Sequence, residues 1–422
     1  MGKIIQKKFE DILKKISPSK EELKEINEKL KKFLRVIKKE IKNKKINVEI
    51  FIGGSFAKGT QIRKKVYDID IFFRFSKNHK NISAITENLL KNFKNVTKVH
   101  GSRDYFRVQI EKNLFFEIVP VLKIKKPNQA DNITDLSYSH VKYIKKKIKN
   151  KRILDEIQLA KAFCYSTKTY GAESHIRGFS GYSLELLIIY YKNFLNFLKE
   201  ICKNKDEKII IDIEKIYKNK PQVLRELNES KLGSPIILID PTHKYRNALA
   251  ALSYETFKKF KEEARKFLKN PSEKFFEVKE KNFDNIKRKY KRYDGVVVEI
   301  KTNKQEGAIA GSKLLKFFNY LNCKISKYFE IKEKNFEYNG DNSAKGIFVA
   351  KSKEKILISG PYLNDKKNVK KFKENHKNIY IKKNRVYCEE KINFNLKEFL
   401  NNLKKKDKKI IKEMGISGIE VN

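Results

Sequence analysis

A chain of 422 residues with 40% hydrophobic residues, 29 Phe and 20 Tyr can bury several cores, which excludes a disordered polyampholyte despite 35% charged residues. Its 97 Lys and Arg against 51 Asp and Glu give a formal net charge of +46. Folding gains nothing from that self-repulsion, so the balance calls for a polyanionic partner, nucleic acid first.

In chain order, residues 4–15 alternate charged and apolar side chains at the spacing of a short amphipathic helix, too charged for a signal peptide. SPSKEE then sets Ser17 or Ser19 before Glu21 and Glu22, a capping-box pattern. The helix it opens runs to about Asn43, with Leu23, Ile26, Leu30, Phe33, Leu34 and Ile37 on one face. NVEIFIGG (47–54) reads as a strand ending in two glycines, and GSFAKGT as a turn leading into a helix start. YDIDIFFRF (67–75) reads as a strand and ISAITENLLKNF as a helix. YFRVQI (105–110) and LFFEIVPVLKI (114–124) form an antiparallel pair across 111–113. Residues 139–204 are almost wholly helical around a glycine-rich break at GAESHIRGFSG. SPIILIDPTHKYRN (234–247) holds a short strand and a Pro-bounded loop, with a helix over 253–268 and a boundary at 270–276. Beyond it come a strand at 293–301, a helix over about 308–327, the strands GIFVAKS and KILISGP, a helix at 367–375, a hairpin in NIYIKKNRVYCEE, and a last helix in LKEFLNNLKKKDKKIIKEM. No stretch approaches the length of a membrane span. Cys164, Cys202, Cys323 and Cys388 lie far apart without CxxC spacing, which suits a reducing cytosol and suggests neither a zinc site nor a disulfide framework.

One motif carries chemistry. Residues i and i+2 of a strand share a face, so Asp68 and Asp70 project together while Ile69, Ile71 and Phe73 face the core. Two carboxylates this close repel unless a cation lies between them. Oxygen ligands in that arrangement suit Mg²⁺, which prefers carboxylates and substrate phosphates. Glu117, an acid inside the apolar run FFEIVP, is the candidate third carboxylate of a two-metal site. Upstream, Gly53, Gly54 and Ser55 allow close approach of the backbone to a phosphate, and Lys58 adds charge.

GGSFAKGT…DIDIF resembles the signature of the polymerase-β-type nucleotidyltransferases. KAFCYSTKTYGAESHIRGFSGYSLELLIIYY (161–191) and DPTHKYRNALA (240–250) are similar to the archaeal-type, class I CCA-adding enzymes, and the later VVVEIK…GPYLND…FKENHKNIYIKKNRVY stretch is so more loosely. The resemblance implies an α+β protein: a polymerase-β-like nucleotidyltransferase head with a small mixed sheet (1–136), a helical neck with a base-recognition loop (137–272), an α/β body (273–362) and a small tRNA-binding tail (363–422). It implies sequential addition of C, C and A to the 3′ end of tRNA from CTP and ATP, without a nucleic-acid template, in the cytoplasm. The family often forms homodimers.

By the same resemblance, Asp68, Asp70 and Glu117 are catalytic and hold two Mg²⁺ ions. Gly54, Ser55, Lys58, His140, Lys161 and Tyr170 bind the nucleotide, Lys58 standing where an Arg is common. Arg246 reads the base edge. Asp240 serves as a cap or turn residue and Asn247 as a helix-start residue. His175 and Arg177 shape a loop. Another reading of Tyr170 is an aromatic closing a helix before Gly171. Because many relatives share the acidic motif, a poly(A) polymerase or an oligoadenylate-synthetase-like enzyme stands as the alternative, with a non-catalytic RNA-binding protein and a small-molecule nucleotidyltransferase as further rivals.

Overall fold

The computed structural model describes residues 2–278, 286, 288–290 and 292–422. The chain divides into two compact units, 1–279 and 280–422.

The first unit begins with helices α1 (Gly2–Ile16) and α2 (Lys20–Asn43). Ser19 and Glu22 close a reciprocal capping box at the start of α2, worth about 1 kcal/mol. Strand β1 (Val48–Ile52), short helix α3 (Gly54–Lys58), β2 (Tyr67–Phe75), α4 (Ile82–Leu90), β3 (Val96–Val99), β4 (Tyr105–Glu111) and β5 (Leu114–Leu122) follow. They build a five-stranded sheet in the order β1-β2-β5-β4-β3. The pair β4–β5 is antiparallel, as the alternation predicts. The pair β2–β5 is parallel, which no local pattern announces. Ile26, Leu30, Phe33 and Ile37 of α2 pack on Ile69, Ile71, Phe73, Phe116 and Ile118 of the sheet. The other face of β2 is thereby left for the acids.

Helices α5 (Ser137–Lys147), α6 (Lys151–Ser166), α7 (Gly181–Tyr191) and α8 (Phe194–Lys203) form the helical part. Strand β6 (Ile209–Ile211), helices α9 (Lys220–Glu226) and α10 (Glu229–Leu232), strands β7 (Ile236–Asp240) and β8 (His243–Asn247), and α11 (Tyr254–Lys269) complete the unit. Its core gathers Phe163, Phe179, Phe194, Phe197, Phe260 and Phe267. Ile12 and Ile16 of α1 belong to this core and not to that of the first sheet, so the N-terminal helix packs on the helical part rather than on the sheet that follows it in sequence.

The second unit holds a four-stranded antiparallel sheet of β9 (Asp294–Thr302), β10 (Phe329–Tyr338), β11 (Ser343–Ser352) and β15 (Ile416–Val421), in the order β10-β11-β9-β15. It is packed by α12 (Ala308–Tyr328) and α14 (Leu396–Lys406). A second sheet has the order β12-β14-β13, from β12 (Lys355–Tyr362), β13 (Ile379–Lys382) and β14 (Arg385–Lys391), with α13 (Lys366–Asn375) between β12 and β13. The closing helix predicted as one piece is two, α14 and α15 (Lys408–Glu413), broken at Asp407, whose carboxylate takes Lys324 at 2.9 Å and the Tyr320 hydroxyl. Residues 396–421 return to the sheet of 294–352: Leu396, Leu400, Ile416 and Ile419 are buried in that core.

Candidate active site

Strand β2 buries Ile69, Ile71 and Phe73 on one face and turns Asp68 and Asp70 to the other. Across the parallel pair, Asp70 stands opposite Glu117. Across the antiparallel pair, Glu117 stands opposite Arg107. Asp70, Glu117 and Arg107 thus form one row over three strands. The Arg107 guanidinium lies 3.8 Å from the Phe115 ring centroid, donates to Asp68 Oδ1 at 2.9 Å and approaches Glu117 Oε1 at 3.8 Å.

Burial pushes the Glu117 carboxyl up to about 8, with the charges of Asp70 and Asp68 adding to the effect. Burial likewise raises Asp70 to about 6, against the pull of Lys58. Three carboxyls on one face, Asp70 and Glu117 raised by burial and Asp68 and Glu117 spanned by the Arg107 guanidinium, are a donor set that fits a hard divalent cation. The turn above them is shaped for close approach. Gly54 has φ 61°, and a Cβ there would lie 1.7 Å from Asp70 Oδ2. The Gly53 amide donates to the Asp70 carbonyl at 2.9 Å.

Beside the acids lies a buried cationic pair. Lys58 Nζ is 2.6 Å from Glu185 Oε2, and Lys161 Nζ is 2.7 Å from Glu185 Oε1. The Thr60 hydroxyl donates to the same carboxylate at 2.6 Å, and Lys161 donates to the Thr60 carbonyl at 3.1 Å. Burial works to raise the Glu185 carboxyl, but the two ammonium groups outweigh it and bring it to about 2. Burial lowers Lys161 to about 8, so it remains charged at neutral pH. Tyr170 is not at a helix end: α6 stops at Ser166, and Tyr170 bridges to Phe179 in extended backbone. Its hydroxyl would sit 2.8 Å from a Cβ on Gly181, which is why the start of α7 passes so closely.

The hairpin β7–β8 carries the third cluster. Asp240 is buried and accepts from Arg246 Nη1 at 2.6 Å, His140 Nε2 at 2.9 Å, Tyr182 Oη at 3.0 Å and the Thr242 amide at 2.8 Å. Burial alone would raise its carboxyl, yet these partners hold it well below the usual carboxylate range. Burial pushes the His140 imidazole down, so its Nε2 hydrogen is the one given to Asp240. The His140 ring stacks on Tyr182 at 4.1 Å, and the Arg246 guanidinium lies 5.7 Å from the same ring. Asp240 is therefore an acceptor hub and more than a turn residue. Asn247 does not start a helix: it ends β8, and its side chain bonds the Leu238 and Leu249 amides and the Ile236 carbonyl.

One cavity of about 420 Å³ brings together Gly54, Ser55, Lys58, Asp68, Asp70, His140, Lys161 and Tyr170. Glu117 joins it through Asp70, and Arg246 adjoins it through Tyr182 and the Asp240–His140 bond. Sequence reasoning missed Glu185, Arg107 and the hub at Asp240. For Glu185 the signal was present: a lone acid in YSLELLIIYY is as anomalous as Glu117 in LFFEIVP.

The family pattern described as tRNA nucleotidyltransferase, second domain, matches residues 155–277. That of the Second Messenger Oligonucleotide or Dinucleotide Synthetase domain matches residues 4–150. The CCA-adding enzyme of Nanoarchaeum equitans (strain Kin4-M) is 36% identical over 375 residues, covering 86% of this chain and 89% of that enzyme. The chain belongs to the CCA-adding enzyme family. The CCA-adding enzyme of Methanocaldococcus jannaschii is 32% identical over 296 residues, spanning 67% of this chain and 64% of its own length. Cid1, described as having RNA terminal uridylyl transferase activity, superposes with a TM-score of 0.53 over 67% of this chain and 100% of its own at 12% identity, a likeness of fold. A CCA-adding enzyme is a nucleotidyltransferase that uses a divalent metal, and the α+β fold expected from the sequence is the one found. Among the described residues, no helix is long and apolar enough to cross a membrane.

Proposed function

We propose that this chain adds C, C and A in turn to the 3′ end of tRNA, taking CTP and ATP and releasing pyrophosphate, in the cytoplasm. The observation that carries the reading is the meeting of Asp68, Asp70 and Glu117 with the Gly54 turn, beside a cavity lined by Lys58, Lys161 and His140. Asp68, Asp70 and Glu117 would hold two Mg²⁺ ions, which offset charge on the entering and leaving oxygens. Gly54 and Ser55 bring the backbone against the triphosphate. Lys58, Lys161, Tyr170 and His140 line its path, and Glu185 keeps the two ammonium groups in place. The tRNA 3′-hydroxyl attacks the α-phosphorus in line, and the bond to pyrophosphate breaks.

Arg246 is the base reader in this proposal. Its Nε is buried without a hydrogen-bond partner, leaving a donor for the O2 or N3 acceptor of cytosine. Asp240 holds the guanidinium plane. The formal charge of +46 suits the backbone of an RNA acceptor arm, which is gripped by shape and phosphate contacts. Head (1–136), neck (137–272), body (273–362) and tail (363–422) remain the functional division we assign, with residues 396–421 contributing to the body's core.

The deciding experiment supplies Mg²⁺, a labelled tRNA lacking its 3′ end, and CTP and ATP separately and together. C addition from CTP alone, completed to CCA only when ATP is present, is the expected result. Long A tails, or no C addition, would overturn the assignment in favour of a poly(A) polymerase or oligoadenylate-synthetase-like enzyme.

A further inference from the structure

The sheet β12–β14–β13 carries a group of donors that nucleotide transfer does not use. Cys388 and Glu390 are two apart on β14 and therefore share a face. His376 follows directly on α13 and reaches that face, its Nδ1 2.6 Å from Glu390 Oε1. The imidazole nitrogen, the Cys388 Sγ and a Glu390 oxygen all lie within 4.8 Å of one another. Cys388 is fully buried, while His376 and Glu390 are partly open to solvent. The Phe372 ring, 4.3 Å from the imidazole, restricts its orientation.

We propose that His376, Cys388 and Glu390 form a binding site for a borderline-soft divalent cation of the zinc type, tying the end of α13 to β14. A thiolate, an imidazole and a carboxylate are the donors Zn²⁺ accepts in three-residue sites, with one position left for water. The same set is wrong for Mg²⁺, which takes oxygen ligands, so this site and the catalytic acids sort the two metals by donor chemistry. Burial and the neighbouring Glu390 charge push the Cys388 thiol up, so the cation must displace a proton from sulfur as it binds. Three lysines, Lys355, Lys377 and Lys391, line the adjoining depression and oppose any cation there; Lys355 is partly offset by Glu389 at 3.2 Å. Spacing alone hides the site, because a single His and a Cys-x-Glu pair match no standard ligand pattern.

The test titrates Co²⁺ into the full chain and follows thiolate-to-cobalt charge-transfer absorbance, which oxygen ligands at the catalytic acids cannot produce. The expected result is a band of one equivalent, abolished in Cys388→Ser, retained in Cys164→Ser and Cys323→Ser, displaced by Zn²⁺ and untouched by excess Mg²⁺. Glu390→Gln, at a partly exposed position that leaves the strand intact, should keep the band and weaken Co²⁺ by about tenfold or more. No band in the native chain, a band that survives in Cys388→Ser, or Glu390→Gln binding as tightly as native would each overturn the proposal.

Discussion

Asp70 on β2 stands directly opposite Glu117 on the parallel strand β5, two carboxyls from segments far apart in the chain brought to one row of one sheet. Burial holds both carboxyls high, Asp70 at about 6 and Glu117 at about 8. A hard cation binds only their ionised forms, so Mn²⁺ affinity should rise with pH through that window and level off above it. The sign for stability follows from the same shifts. The folded chain holds these protons more tightly than the unfolded chain, so cation-free stability falls as pH rises from about 4.5 towards 8. Calorimetric Mn²⁺ titration and thermal melts across that range check both; pH-independent Mn²⁺ binding would refute the shared-site reading.

The Arg107 guanidinium contacts two of the acids that we propose hold the metal, Asp68 and Glu117. Arg107→Ala should tighten Mn²⁺ binding on the order of tenfold, a difference of about 1.4 kcal/mol, measured by calorimetry with nucleotide absent. Unchanged or weaker binding would mean that the guanidinium supports the site instead of occupying it.

Gly54→Ala meets two obstacles together: a left-handed backbone and a Cβ 1.7 Å from Asp70 Oδ2. Displacing that carboxylate should lower single-turnover C addition by about two orders of magnitude or more. Filter binding should show tRNA affinity close to native. A variant that kept its rate would show that the turn has no part in placing Asp70.

Glu185→Gln leaves Lys58 and Lys161, 7% and 2% exposed, without their counter-charge. Removing one member of a buried ion pair costs about 3–5 kcal/mol, to be read from urea unfolding. Lys161 already sits near 8, so the loss should shrink in alkaline buffer as that ammonium gives up its proton. A deficit independent of pH would point to lost packing instead of unpaired charge.

Much of this site was legible beforehand for a local reason. Strand periodicity puts Asp68 and Asp70 on one face whatever the rest of the chain does, and an acid in an apolar strand marks Glu117. Arg107 was not legible, because the expected hairpin of β4 and β5 sets it beside Glu117 but says nothing of the parallel pairing of β5 with β2 that brings Asp68 within its reach. Strands β3, β10 and β15 were missed for a related reason. Lysine-rich or glycine-interrupted segments such as FEIKEKNFEY and ISGIEV have weak patterns of their own and are held by the neighbours they pair with.

The amino-acid order alone therefore determined the helices with strong apolar stripes, the glycine turn and the shared face of the two aspartates, since each depends on neighbours within a few residues. Tertiary structure alone decided who answers each buried charge. The Lys58–Glu185 bond spans 127 positions and the His140–Asp240 bond 100, and periodicity can say which way a side chain points without saying what will be there to meet it.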